Sequence, residues 1–288
     1  MNLQGTNRNS EAPRGETVAA FLLHEKEAGM IAALRRQKIR DIVLEKKSAT
    51  VTDLAHEFGV TDETIRRDLK VLEADGVLMR SYGGAFIASG VENLVDANIR
   101  TGTYIDSKVT IAQRCRPFVK NGDTLFLDNS TTSYYIAKEL QDMRLTVLTN
   151  NMMIMNLCAK CNDIHLVAVG GDYASTEKAF YGDITVNTLA EYFVDTAFIS
   201  SRSLSLKNGI TDSTERWNAV RRTALSHAQK KFLIADFSKF DMTSYVHLCG
   251  FSELDGIVTD KPLSQEWHET LKKYGCLVID GTQEEKTV

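Results

Sequence analysis

From Ile105 onward the chain alternates short apolar runs with amphipathic stretches, an order that few folds accommodate. The runs Thr124–Leu127, Leu145–Thr149, His165–Val169, Thr196–Ser200, Lys231–Ala235, Gly256–Thr259 and Cys276–Ile279 have the length of strands. Helical stretches are expected between most of them, over Ser107–Val119, Thr131–Leu140, Asn151–Lys160, Thr185–Phe193, Trp217–Ala228 and Ser264–Tyr274. Parallel strands need crossover connections, and helices supply them. The expected fold class for residues 105–282 is therefore α/β, a doubly wound and mostly parallel sheet.

Residues 31–88 follow a different rule. A first helix is expected over Ile31–Lys46, with Leu34, Ile39, Ile42 and Val43 inward, and a short second one behind Thr52 as N-cap, burying Leu54, Ala55 and Phe58. Gly59 supplies the left-handed residue that ends the second helix, and Thr61 caps a third. In the third helix Ile65, Leu69 and Leu72 recur at i, i+4 and i+7 and define a buried stripe. At 100° per residue Glu63, Arg66, Arg67 and Lys70 then project from the other side. Asp62 and Glu63 stand at the helix end that favours negative charge. Val77–Ile87 reads as two short strands around the Gly83-Gly84 turn.

A helix pinned from behind that offers guanidinium forks suits a DNA major groove. Arginine pairs bidentately with guanine, and lysine suits phosphate. The candidate DNA-facing residues are Thr61, Glu63, Thr64, Arg66, Arg67 and Lys70, with Arg80, Ser81, Tyr82, Gly83 and Gly84 in the hairpin as a wing. Arg-Arg alone is usually a solvated surface; the helix-glycine-turn-helix spacing and the glycine hairpin favour DNA. Whole-chain charge adds little, since the net is −4 at pH 7.

The remaining segments carry less information. Residues 1–30 read as a flexible extension, with Met30 a candidate natural start, residues 89–104 as a linker and 283–288 as a tail. No apolar run approaches the ~20 residues of a bilayer span. The five cysteines are odd in number and scattered, so a reduced, cytoplasmic chain is expected. Cys158-Ala-Lys-Cys161 is a lone pair without a second one nearby, and the six histidines are not at ligand spacing, so no metal is expected. No G-x-G-x-x-G follows a strand, and no cofactor is expected.

Leu127-Asp128 ends the first strand of the second region and leads into Asn129-Ser130-Thr131-Thr132 at a helix start. Free backbone N–H groups, hydroxyls and the helix dipole at such a junction suit an anion, although Ser and Thr also serve there purely as caps. Thr149 and Asn150 end the next strand, Gly170 and Gly171 the third, and Asn208–Asp212, carrying Thr211, reads as a turn before a helix. Lys239 follows a buried strand and is placed to neutralise a phosphate; the spacing fits a plain surface lysine equally well.

Val51-Thr-Asp-Leu-Ala, Phe58-Gly-Val-Thr, Thr64-Ile-Arg-Arg-Asp-Leu, Leu72-Glu and Arg80-Ser-Tyr-Gly-Gly-Ala together resemble the N-terminal domain of DeoR-type regulators. The strand-end motifs extend that resemblance to about residue 280. It implies a transcriptional repressor of a sugar or related carbon operon, binding operator DNA as a dimer or tetramer, with a C-terminal domain similar in fold to ribose-phosphate isomerases. It implies a phosphorylated sugar as effector, with Asp128, Ser130, Thr131 and Thr132 matching the phosphate loop. Thr149, Asn150, Gly170, Gly171 and Lys239 match the other ligand-edge motifs.

Two departures stand out. Ser200-Ser-Arg202-Ser occupies the place of a Gly-x-Asp-Gly run, and Trp217 that of a glutamate. Isomerisation needs a carboxylate base, so no catalytic residue is expected. The rival readings are a sugar-phosphate isomerase with an attached helical domain, and a first domain that binds protein instead of DNA.

Overall fold

The computed structural model describes residues 32–43, 48–74, 78–81, 84–86, 100–102 and 104–282. The expected extension 1–30 with Met30, Tyr82 and Gly83 of the wing, residues 89–99 of the linker and the 283–288 tail lie outside the described residues. The chain divides into two compact units, Met1–Ile87 and Ala88–Val288.

In the first unit residues 32–43 are helical, and Ile39 and Val43 are buried. Leu34, expected inward, is 56% exposed. Five residues at 100° each place it about 140° around the helix from Ile39, so the two cannot share a face. Helix Val51–Phe58 is capped by Thr50, not by the expected Thr52. Thr50 has the extended backbone a cap requires, and its hydroxyl accepts from the Asp53 N–H at 3.1 Å, whereas Thr52 is already inside the helix. Gly59 ends that helix at φ 62°. Helix Asp62–Ala74 follows, its first turn tied by the Thr64 N–H to the Thr61 hydroxyl at 3.3 Å.

The hairpin strands β2 (Met79–Ser81) and β3 (Gly84–Phe86) are present, and β3 also pairs with a strand that sequence reasoning missed, β1 (Ser48–Thr50). All three have only three residues, too short for a period to register.

The second unit is built on a seven-stranded sheet. Its strands are β4 (Thr124–Leu127), β5 (Leu145–Thr149), β6 (Ile164–Ala168), β9 (Val194–Ile199), β12 (Ala228–Ile234), β14 (Gly256–Val258) and β15 (Leu277–Ile279). They lie in the order β15-β14-β12-β9-β4-β5-β6, and every pair is parallel. Leu125 and Leu127 join one core layer with Ile111 and Ile136, while Phe126 joins the other with Val220 and Trp267. That alternation is the two-residue period of a strand covered on both faces.

Two additions were not legible in the sequence. A hairpin, β7 (Asp172–Ala174) and β8 (Ala179–Tyr181), follows β6. A separate antiparallel sheet joins β10 (Ser203–Ser205), β11 (Gly209–Asp212) and β13 (Val246–Cys249). Asn208–Asp212, expected as a turn, is thus largely strand, because its partners at 203–205 and 246–249 are supplied by tertiary contact.

The strand order reverses direction once. The chain steps from β4 outward to β5 and β6, then returns to lay β9 on the other side of β4. Open α/β sheets bind ligands outside the strand carboxyl ends where the order reverses. Here the order reverses between β4 and β9.

Candidate functional site

Helix Asp62–Ala74 buries Ile65, Leu69 and Leu72 to 1% exposure or less and leaves Glu63, Arg66, Arg67 and Lys70 exposed. Arg66 reaches Asp62 at 4.0 Å and Arg67 reaches Glu63 at 3.6 Å, both as exposed i,i+4 pairs. Such pairs are worth only ~0.2–0.5 kcal/mol, so they orient the guanidinium groups without holding them back from a phosphate or a base. Thr61 is exposed and Thr64 half-buried at the helix start. Arg80, Ser81 and Gly84 lie in the hairpin strands.

A buried ion pair fixes this helix. Asp68, 3% exposed, accepts from the Arg35 Nε at 2.6 Å and lies 3.7 Å from Arg36 on the first helix. Sequence reasoning missed this link. The signal was an acid at i+3 from Ile65, on the buried side of the helix.

In the second unit Asp128 follows β4 and is fully buried. Its Oδ1 accepts from the Ser130 N–H at 3.0 Å and the Ser133 hydroxyl at 2.7 Å. Its Oδ2 accepts from the Ser200 N–H at 2.9 Å, beyond β9, and from the Arg221 Nε at 2.8 Å. Arg221, on helix Glu215–Ser226, also donates to Asp212 at 2.7 Å and to the Asn129 side chain at 3.0 Å. Burial by itself raises the pKa of Asp128, but the Arg221 charge and the hydrogen bonds from Ser130, Ser200 and Ser133 outweigh it and hold the carboxyl below its usual value. For Arg221 burial opposes the charge, and Asp212 and Asp128 overcome it, raising the pKa.

Arg221 is the residue that sequence reasoning missed. A signal was present: it shares the buried face of its helix with Trp217, Val220 and Ala224, and an arginine in an apolar stripe calls for buried acidic partners.

Lys239 donates to the Ser200 hydroxyl at 2.9 Å and the Ser201 carbonyl at 2.8 Å. Its pKa is lowered, first by desolvation and then by Arg202 and Arg221, against Asp236 and Asp212. It is therefore not a plain surface lysine but a half-buried cation at the β9–β12 edge.

The expected ligand-edge residues divide into two groups. Asp128 and Ser130 are engaged internally, since the Ser130 hydroxyl accepts from the Ser133 N–H at 3.0 Å and bonds the Ser133 hydroxyl at 3.0 Å. The Thr149 hydroxyl donates to the Leu127 carbonyl at 2.7 Å, and that of Thr211 accepts from the Ser244 N–H at 2.8 Å. Gly170 accepts from the Thr185 hydroxyl at 2.8 Å. Gly171, at φ 144°, lets the hairpin approach: a Cβ there would stand 2.6 Å from the Tyr181 carbonyl oxygen. Asn150 donates to the Phe180 carbonyl at 2.7 Å, and its buried Oδ1 has no partner among the described residues. Thr131 and Thr132 open helix Thr131–Glu139, where the first N–H groups of a helix have no intrahelical acceptor.

Trp217 is buried and packs edge-on to Tyr181 at 5.4 Å, beside the Arg216 guanidinium. Two carboxylates at this edge, Asp128 and Asp212, bond Arg221, and a third, Asp236, accepts from the Ser238 N–H at 3.1 Å. Cys158 is pushed up to about 12 by burial and by Cys161, which disfavours the thiolate that metal binding or redox exchange requires.

Comparison with known proteins assigns each unit. Residues 35–90 match the family described as the DeoR-like helix-turn-helix domain, and residues 103–261 the DeoR C terminal sensor domain. The chain is 34% identical to the HTH-type transcriptional regulator YulB of Bacillus subtilis, over 81% of this chain and 91% of that one. It is 30% identical to the lactose phosphotransferase system repressor of Lactococcus lactis, over 85% and 97%. It is 29% identical to the L-fucose operon activator of Haemophilus influenzae, over 85% and 98%. A solved ribose 5-phosphate isomerase A from Methanocaldococcus jannaschii shares 17% identity over 48% of this chain and 55% of that one at a TM-score of 0.36, too low to inform.

Proposed function

This chain belongs to the DeoR family of helix-turn-helix transcriptional regulators, and on that premise we propose that it is a repressor of a carbohydrate operon, released from its operator by a phosphorylated sugar. It is a DNA-binding regulator and not an enzyme.

The observation that carries the DNA reading is the exposure of Arg66, Arg67 and Lys70 on a helix whose opposite face is fully buried. Arg66 and Arg67 face base edges and Lys70 a phosphate, with Thr61, Glu63, Thr64 and the strand residues Arg80, Ser81 and Gly84 beside them. Half-sites one helical turn apart, about 34–36 Å, need two copies, so the acting species is a homo-oligomer, placed in the cytoplasm with its DNA.

For the sensor, support comes from the β4–β9 crevice, where the helix start at Thr131 and Thr132 and the Lys239 ammonium gather positive potential. Asn129, Asn150 and the 170–171 backbone line the same strand-end edge. Asp128, Ser130, Thr149 and Thr211 shape it from beneath.

The experiment is a mobility shift on the chain's own promoter DNA, titrated with a panel of hexose and pentose phosphates. A retarded complex that one of them dissolves is expected. Absence of any shift would overturn the DNA reading; a shift insensitive to every phosphate would overturn the effector reading.

A further inference from the structure

Two buried side-chain oxygens at the strand ends, Asn150 Oδ1 and Ser201 Oγ, have no hydrogen-bond partner among the described residues. Their residues are only 1% and 3% exposed. Buried polar atoms are almost always paired, so each of these calls for a physical reason. Asn150 directly follows β5, and Ser201 stands two residues past the end of β9. β5 and β9 are the two neighbours of β4 in the sheet. Two strand spacings, about 10 Å, separate their backbones. The strand between them leads into the start of helix Thr131–Glu139.

The two oxygens differ in what they can receive. The Asn150 Nδ2 donates to the Phe180 carbonyl at 2.7 Å, and the Phe180 N–H donates to the Asn150 carbonyl at 2.9 Å. Those bonds to β8 fix the amide, so Oδ1 remains an acceptor and needs a donor. A phosphate dianion carries no donor, whereas a sugar hydroxyl does. Ser201 stands in the opposite environment. Its carbonyl accepts from the Lys239 ammonium at 2.8 Å, and the same ammonium donates to the Ser200 hydroxyl at 2.9 Å. The charges of Arg202 and Arg221 reach that ammonium as well. A hydroxyl among cations is favoured as a donor to an anionic oxygen.

We propose that the effector lies across the end of β4, with its phosphate toward β9, where the Ser201 hydroxyl donates to it, and a sugar hydroxyl toward β5, where Asn150 Oδ1 accepts from it. The proposal deepens the effector reading above and rests on it. Ser201 is then a binding residue outside the phosphate-loop motif. Asn150 is the residue that tells a hydroxylated sugar from its deoxy counterpart, because the deoxy ligand leaves a buried acceptor unpaired.

The test is isothermal titration calorimetry of the full chain with hexose and pentose phosphates and their deoxy counterparts, on the parent, Ser201→Ala and Asn150→Ala. The parent should bind at least one sugar phosphate about tenfold or more tighter than a deoxy counterpart. In Ser201→Ala every sugar phosphate should lose about tenfold or more in affinity. The ligand-free thermal midpoint of that variant should not fall, since the hydroxyl it lacks has no partner among the described residues. Asn150→Ala should bind the hydroxylated and deoxy ligands alike, a ratio that a merely structural loss would leave at the parent's value. Should Asn150→Ala fail to fold, the parent's own hydroxy-to-deoxy ratio and Ser201→Ala decide the matter. Parental affinity or a lowered midpoint in Ser201→Ala overturns the proposal, as does a parent that binds each deoxy counterpart as tightly as the sugar itself. A parent that binds no sugar phosphate overturns the effector reading; binding without these selectivities leaves that reading standing and sinks the orientation alone.

Discussion

Arg221 donates to Asp128 across 93 residues of sequence, at 2.8 Å, with both side chains buried. That contact joins the helix after β11 to the loop after β4, and Arg221 simultaneously holds Asp212. The Arg221 guanidinium is thus satisfied by Asp128, Asp212 and Asn129 from within the fold.

Arg221→Met removes the cation and leaves two buried carboxylates facing each other. Breaking one partner of a buried pair costs about 3–5 kcal/mol. Chemical denaturation of the variant should show a loss of that size in the second unit, and an unchanged midpoint would disprove the assignment.

The depressed pKa of Asp128 gives the second unit a pH dependence of definite sign. A carboxyl whose folded pKa lies below its unfolded value stabilises the fold at pH above the unfolded value, near 4 for aspartate. That contribution is lost as pH falls from there through the depressed folded value. Asp280, lowered as well against its burial by bonds from Leu263 and Thr282, acts in the same direction. Thermal midpoints measured from pH 6 downward should drop, and Asp128→Asn should start less stable at pH 6 and drop less.

Arg67→Ala and Leu69→Ala separate reading from folding on one helix. Arg67 is exposed, so its loss should leave stability intact and weaken operator binding by about 1–3 kcal/mol if it contacts a base. Leu69 is 1% exposed, and truncation should destabilise the first unit by about 2–5 kcal/mol. Anisotropy with operator DNA and urea titration, run on both, distinguish the two effects.

Gly171→Ala should disturb the hairpin over the ligand edge. An added Cβ would stand 2.1 Å from the Thr185 hydroxyl oxygen and 2.6 Å from the Tyr181 carbonyl oxygen, at a φ of 144°. A destabilisation of about 1–3 kcal/mol or more is expected for overpacking of this kind. The loss should appear in thermal melts and as faster exchange of amides in Asp172–Tyr181.

Lys239→Met probes the anion without touching the DNA reader. Operator affinity should match the parent's, and the response to sugar phosphates should weaken at least tenfold. A response equal to the parent's would remove Lys239 from the effector site.

Much of this architecture was legible because it depends on near neighbours. The stripe of Ile65, Leu69 and Leu72, the cap at Thr61 and the left-handed Gly59 are set by residues within a turn of one another. The seven strands of the parallel sheet each announced themselves as an apolar run. Leu34 and Thr52 were misassigned where a helical phase or a cap position shifted by a residue or two.

Sequence alone therefore determined the two-unit order, the exposed basic face and the helix start at Thr131, since each follows from local periodicity and hydrogen-bonding capacity. Tertiary structure alone decided which polar groups are engaged by partners elsewhere in the fold. Asp128 and Ser130 looked available on the chain, yet Ser200, just past β9, and Arg221 on helix Glu215–Ser226 both donate to the Asp128 carboxylate. The physical reason is that a buried charge must find its counter-ion wherever the fold brings one, and sequence separation places no limit on that search.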